Sequence, residues 1–180
     1  EEFCVAYENT YKLPIYIKGN NYLRPINYLE NKGSAQCKTC VMLASLNLPG
    51  ETRIKAKISR DHTERMFKSL NIPLKINRMN NFDNITVSRP KIIKKIDFNI
   101  PGDISSAAFF IVLTLLTKNS KLTLKNININ STRIGVIKIL NKMGAKIKFK
   151  NIKNLNDERC SDIKIKSIKN LKGIICPPKL

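Results

Sequence analysis

Two helix-start signals recur in this chain at a fixed interval, and that interval constrains the fold more than any other feature. Gly33-Ser34 precedes a helix-like stretch, and Asp61 opens another 27 residues after Ser34. Gly102-Asp103 and Asn130 stand 69 residues further on, again with 27 residues between Asp103 and Asn130. A period of this size marks a supersecondary unit used twice, whose apolar faces need a stacked neighbour for burial.

The apolar spacing fills in each copy. In the first, alternation through Leu13, Ile15 and Ile17 predicts a strand over 12–18, with 23–28 as its partner after a Gly19-Asn20-Asn21 turn. Cys37, Cys40, Val41, Ala44 and Leu48 follow the helical period from Ser34 to about Asn47, and Pro49-Gly50 ends that helix. Ile54, Ala56 and Ile58 alternate with charged residues as a strand. Asp61 and Glu64 then form a capping-box pattern ahead of a Thr63, Met66, Phe67, Leu70 stripe. Strands are expected near 74–78 and 84–88. The second copy predicts a strand over 95–100 and a break at Pro101-Gly102. An apolar helix capped by Asp103 follows to about Thr117, then a strand through Leu122 and Leu124. Asn130 or Ser131 opens another helix, with Val136, Ile139, Leu140 and Met143 on one side, and strands near 145–150, 162–166 and 173–176 close the copy. Each copy reads β-α-β-α-β-β.

The helices at 34–47 and 103–117 are more apolar than the strands, which alternate. A doubly wound parallel sheet has the opposite distribution. The fold class expected is therefore α/β (α+β), with repeated units whose helices lie inside and whose sheets face outward. Pro101-Gly102 is the candidate domain boundary, dividing 1–101 from 102–180; an ordinary turn fits the pattern as well.

The net charge of +20 raises the possibility of a nucleic-acid partner. Its distribution argues otherwise. In Lys146–Lys150 and Asp162–Lys166, lysines alternate with apolar residues, as on the wet face of half-buried strands, and no aromatic residues are interleaved to stack bases. Five cysteines, an odd number at scattered spacing, argue against a disulfide framework. Cys37-Lys38-Thr39-Cys40 has the C-x-x-C form but lacks a second pair and falls on an apolar stripe, so its thiols read as buried small side chains rather than a metal centre. The longest apolar run, Ala107–Leu116, is too short to span a bilayer as a helix. The expected setting is cytoplasmic, with no membrane partner.

A helix start with free N–H groups attracts anions. Ser34 can cap its helix and still donate a hydrogen bond to an anion, whereas Asp103 brings a negative charge to the same place. Gln36 lies near the first mouth, and Arg60 precedes the second helix with a planar fork suited to phosphate. Read without relatives, the pattern favours Ser34 as a plain cap and Arg60 as a surface charge, Gln36 is open to a solvated surface role, and His62 is a helix-start residue with no catalytic partner at recognisable spacing.

Ser34-Ala35-Gln36-Cys37-Lys38, Ser59–Met66, Pro101–Phe110 and Asn130–Gly135, with Leu171-Lys172-Gly173-Ile174, together resemble the 5-enolpyruvylshikimate-3-phosphate synthase family, in order from about Leu13 to Pro178. The Ser-Ala-Gln and Arg-Asp-His-Thr forms are similar to its glyphosate-insensitive bacterial branch. The resemblance implies two domains of three β-α-β-α-β-β units, with the chain crossing between them at Pro101-Gly102. Residues 1–101 would end one domain and 102–180 would resume the other. It also implies transfer of the enolpyruvyl group of phosphoenolpyruvate to the 5-hydroxyl of shikimate 3-phosphate, without metal or organic cofactor, by a protein that is monomeric when complete. On that resemblance Ser34, Ala35, Gln36 and Arg60 bind substrate. The family's N-terminal Lys-Ser-x-x-x-x-Arg pocket has no counterpart here, and its Ile-Asp-Glu segment would fall beyond Leu180. No catalytic residue is therefore expected within these 180 residues, and no activity from them alone. The alternatives are a related transferase acting on a nucleotide sugar and a basic nucleic-acid-binding module.

Overall fold

The computed structural model describes residues 5–6, 16–17, 22–93 and 95–176. They form two compact units. The first holds the described residues up to Ser59 together with Asn71–Ile93; the second holds Arg60–Leu70 with the described residues from 95 onward.

In the first unit, strands β1 (Val5–Ala6) and β2 (Tyr16–Ile17) pair antiparallel. The rest of the strand expected over 12–18 lies outside the described residues. The partner expected at 23–28 is instead β3 (Asn27–Glu30), which pairs in parallel with β4 (Glu51–Lys57). With β5 (Leu74–Met79) and β6 (Phe82–Ser88) they make a four-stranded sheet of order β3-β4-β6-β5. Thr52, Ile54 and Ala56 of β4 are buried beside Val87, Ile85 and Asp83 of β6, while Glu51, Arg53, Lys55 and Lys57 are exposed. The alternation thus sorts one dry and one wet face, as period-2 patterning requires.

Helix α1 (Ala35–Ala44), continued by a 3-10 turn at Ser45–Asn47, packs on β3 and β4. It does so through Lys38, Met42 and Ser45, not the expected cysteine stripe, and Cys37 and Cys40 are exposed free thiols. The face of an amphipathic helix is chosen by what its neighbours can pack. Met42 is the largest apolar side chain that α1 buries, and the Ser45 hydroxyl bonds the Met42 carbonyl at 2.7 Å.

The second unit contains α2 (His62–Ser69), α3 (Ile104–Leu116), β7 (Lys121–Asn128), α4 (Gly135–Lys142), β8 (Lys148–Leu155) and β9 (Glu158–Lys166). The sheet order β7-β9-β8, all antiparallel, repeats β4-β6-β5 of the first unit. The counterpart of β3 shrinks to one parallel bridge between Gly102 and Ile127. The strand expected over 95–100 is not formed, and neither is the one at 173–176. Pro101 supplies no N–H to a ladder. At Gly102 the chains approach so closely that a Cβ would stand 2.7 Å from the Ile127 side chain. Asn156 and Asp157, both at positive φ, form the two-residue β8–β9 turn, whose twist suits a hairpin.

Ile104, Ala107, Ile111 and Leu115 of α3 join Ile127, Ile137, Leu140, Ile163 and Ile165 in one core. Lys164 and Lys166 lie exposed between these apolar positions. The other side of α3 carries Phe109, Phe110, Leu113 and Leu116, each more than half exposed. This helix is therefore apolar on two sides and covered on one. α4 begins later than expected: residues 131–134 form a turn after Asn130, whose carbonyl accepts from the Arg133 and Ile134 N–H groups. No described helix is long and apolar enough to cross a membrane.

Candidate functional site

The start of α1 is built by its own local sequence. Gly33 turns the chain at φ 76°, a conformation that a side chain strains. Ser34 is extended, and its Oγ accepts from the Cys37 N–H at 3.2 Å while its carbonyl accepts from the Lys38 N–H. The Glu30 carboxylate accepts from the N–H groups of Lys32 (2.9 Å), Gly33 (2.8 Å) and Ser34. Ala35 and Gln36 are the first two residues of α1, where N–H groups have no intrahelical carbonyl to reach. The expected residues Ser34, Ala35 and Gln36 thus come together as a hydroxyl that can still donate and two open N–H groups, at the positive end of a ten-residue helix. That is a donor set for an anion.

Two residues near this mouth carry no role in the sequence reading. Glu30 is 3% exposed and Lys38, one turn into α1, is 1% exposed. Burial pushes the Glu30 carboxyl up. The N–H groups of Ser34, Lys32 and Gly33 and the charge of Lys38 outweigh it, holding the group below its usual range. A lysine on an amphipathic helix looks like a surface residue, and nothing in the spacing pairs it with a glutamate eight positions earlier. The one available signal was its place on the i+4 line behind Ser34.

Arg60 lies exposed at the first position of the second unit, immediately before Asp61. The capping box expected at Asp61 is not formed, because the Asp61 side chain makes no cap hydrogen bond. Its Oδ2 accepts from Arg65 Nε at 3.0 Å and its Oδ1 from Asn130 Nδ2 at 2.7 Å. Two charge-assisted or amide donors outcompete one N–H at the helix start. His62 Nδ1 meets Glu158 Oε1 at 2.5 Å, and Glu158 Oε2 accepts from Asn128 (3.1 Å) and Asn130 (3.3 Å). The Arg65 guanidinium also bonds the Asp157 carbonyl. Asp61, His62 and Arg65 therefore fasten α2 to the β8–β9 turn and to Asn130. A hollow of about 260 Å³ beside this cluster is lined by Met66, Phe98, Ile100 and Leu155, with His62 and Glu158 on its polar side. None of the expected site residues lines it.

Asp103 Oδ2 accepts from the Ser106 N–H (2.9 Å) and Oγ (3.2 Å), and Oδ1 accepts from Arg133 at 2.6 Å. The N–H groups of Ser106 and Ser105 and the Arg133 charge hold this carboxyl below its usual range against slight burial. The second mouth is filled by the chain's own carboxylate, and the first is left open.

A family model described as EPSP synthase (3-phosphoshikimate 1-carboxyvinyltransferase) matches residues 4–176. The 3-phosphoshikimate 1-carboxyvinyltransferase of Endomicrobium trichonymphae is 41% identical over 155 residues, which is 86% of this chain and 35% of that protein. The enzyme of the same name from Legionella pneumophila strain Corby is 42% identical over 167 residues, covering 92% of this chain and 37% of its own length. An EPSP synthase structure from Acinetobacter baumannii superposes with a TM-score of 0.80 at 35% identity, over 95% of this chain and 38% of that one. The chain spans little more than a third of the length of these relatives. Sequence match and superposition agree: the chain belongs to the EPSP synthase family.

Proposed function

We propose that the full-length protein transfers the enolpyruvyl group of phosphoenolpyruvate to the 5-hydroxyl of shikimate 3-phosphate, and that this chain supplies the shikimate-phosphate side of its site. The observation carrying this reading is the start of α1, where Ser34 Oγ and the Ala35 and Gln36 N–H groups converge with no acidic cap. A phosphate there completes the helix start as Asp103 completes α3, with the ligand replacing the carboxylate. By family resemblance Arg60 is a substrate-binding residue, and the Gln36 side chain contacts the shikimate ring. Binding energy at a phosphate remote from the reacting hydroxyl orients that hydroxyl and lowers the barrier without taking part in bond making.

On the same reading Pro101-Gly102 is the crossover between the enzyme's domains. The groups that handle protons and phosphoenolpyruvate lie outside these 180 residues. Turnover then requires the full-length, cytoplasmic protein, acting as a monomer and without a cofactor.

The test is calorimetric titration of shikimate 3-phosphate into the full-length protein and its Ser34→Asp variant. The expected result is a large loss of affinity in the variant, since a fixed carboxylate would occupy the mouth. Equal affinity would overturn the assignment. Turnover by the isolated 180 residues would overturn the claim that they lack the catalytic groups.

A further inference from the structure

Asp61 and Asn130 hold equivalent places in the repeat, 69 residues apart, and they meet: Asn130 Nδ2 donates to Asp61 Oδ1 at 2.7 Å. Neither side chain caps an α-helix, since Asp61 makes no cap hydrogen bond and α4 begins only at Gly135. The residue before each one differs. In the second copy it is Ile129, a member of the apolar core, and in the first it is the exposed Arg60.

The orientation of the Asn130 amide is fixed. The residue is 2% exposed, and its Oδ1 accepts from the Thr132 N–H at 2.9 Å and from Thr132 Oγ1 at 2.8 Å. Its Nδ2 is therefore the end turned to Asp61 and, at 3.3 Å, to Glu158 Oε2. The other oxygen of Glu158 takes His62 Nδ1, and Arg65 binds both Asp61 Oδ2 and the Asp157 carbonyl. The two residues after Arg60, with Arg65 one turn on, are thus tied to Asn130 beyond the end of β7 and to the β8–β9 turn. A side-chain cap would have closed the helix start without any neighbour. Ties to separate stretches of chain fix its rotation as well as its position, and so fix the backbone from which the Arg60 side chain extends. An arginine gives up rotamer freedom when it binds, and a stem already held leaves less for the ligand to order.

We propose that Asn130 and Glu158 are positioning residues for Arg60, holding the start of α2 so that the Arg60 guanidinium is set for substrate. The proposal rests on the reading that Arg60 binds shikimate 3-phosphate. Neither positioning residue touches the ligand. Both act through Asp61 and His62 on the residue before them.

The experiment is calorimetric titration of shikimate 3-phosphate into the full-length protein and its Asn130→Asp, Arg60→Ala and doubly substituted forms. Asn130→Asp keeps an acceptor for Thr132 but sets a carboxylate against Asp61 and Glu158. It is expected to weaken binding about tenfold. In the Arg60→Ala background the same change is expected to cost less than about twofold, because the residue it acts through is gone. Asp61→Asn together with Asn130→Asp exchanges donor and acceptor, and is expected to return binding to within about threefold of the parent. Unchanged binding in Asn130→Asp would overturn the proposal. So would an equal loss with and without Arg60, which is what a general weakening of the fold or a long-range charge effect produces. If Asn130→Asp does not fold, His62→Phe, which removes the bond to Glu158, decides by the same comparison. A loss that disappears in the Arg60→Ala background supports positioning, and an equal loss or none overturns it. Should Arg60→Ala itself bind like the parent, the binding role of Arg60 falls and positioning falls with it. If Arg60→Ala loses affinity while Asn130→Asp does not, only the positioning role falls.

Discussion

Asp103 and Ser34 show how one side chain decides what a helix start can do. Asp103 spends its carboxylate on Ser106 and Arg133, so α3 is capped without any ligand. Asp103→Ala is expected to destabilise the second unit by about 1 kcal/mol, read from urea unfolding, as for other lost caps. Asp61 carries a pH signature. Burial raises its carboxyl, and the Arg65 and Asn130 hydrogen bonds and the Arg65 charge outweigh that and lower it. A lowered folded value contributes stability that is present above the ordinary Asp value of about 4 and lost as pH falls through the folded value. The urea midpoint of the second unit is therefore expected to decline below about pH 4, and Asp61→Asn to flatten that decline. A decline that Asp61→Asn leaves unchanged would assign it to other carboxylates.

At the scale of elements, the helices are placed by polar contacts that apolar periodicity does not encode. α2 leaves the first unit after β4 and the chain returns to it before β5, yet α2 belongs to the second unit. Within that unit its fastening is the set of bonds from Asp61, His62 and Arg65 to Asn130, Asp157 and Glu158. Asn130→Ala removes the donor shared by Asp61 and Glu158. Amide exchange in residues 62–69 is expected to quicken while the β7–β9 amides keep their protection, since opening of one element need not open the sheet. Equal acceleration in both would show that α2 is held by packing instead. For α1, Gly33→Ala forces a side chain into positive φ and is expected to cost about 1 kcal/mol, measured as a lower thermal midpoint.

For the whole molecule, the periodicity of 69 residues and the alternating strands carried the architecture. Strands β4 to β9 and helices α1 and α3 all lie within a few residues of their sequence-expected places, because alternation and the 3.6-residue period are local. The uncovered side of α3, with Phe109, Phe110, Leu113 and Leu116, is a property of the chain as a whole. An apolar patch of this kind drives association. The isolated chain is expected to sediment as concentration-dependent oligomers, and Phe109→Glu with Leu116→Lys to shift it toward monomer; a monomeric parent at high concentration would contradict this. The candidate site was legible only in part. Ser34, Ala35 and Gln36 are neighbours in sequence, so the cap pattern marked the helix start, and the family resemblance gave these residues their binding role. His62 and Glu158 lie on different elements, and no local spacing joins them. By itself the sequence determined the repeat, the alternation of wet and dry strand faces, the two caps and the family. Only the tertiary structure decided which face of α1 is buried, that Asp61 abandons its cap for Arg65 and Asn130, and that the charged residues Glu30 and Lys38 are both buried. The physical reason is that helix and strand periods are written along the chain, whereas the neutralisation of a buried charge depends on what folding brings beside it.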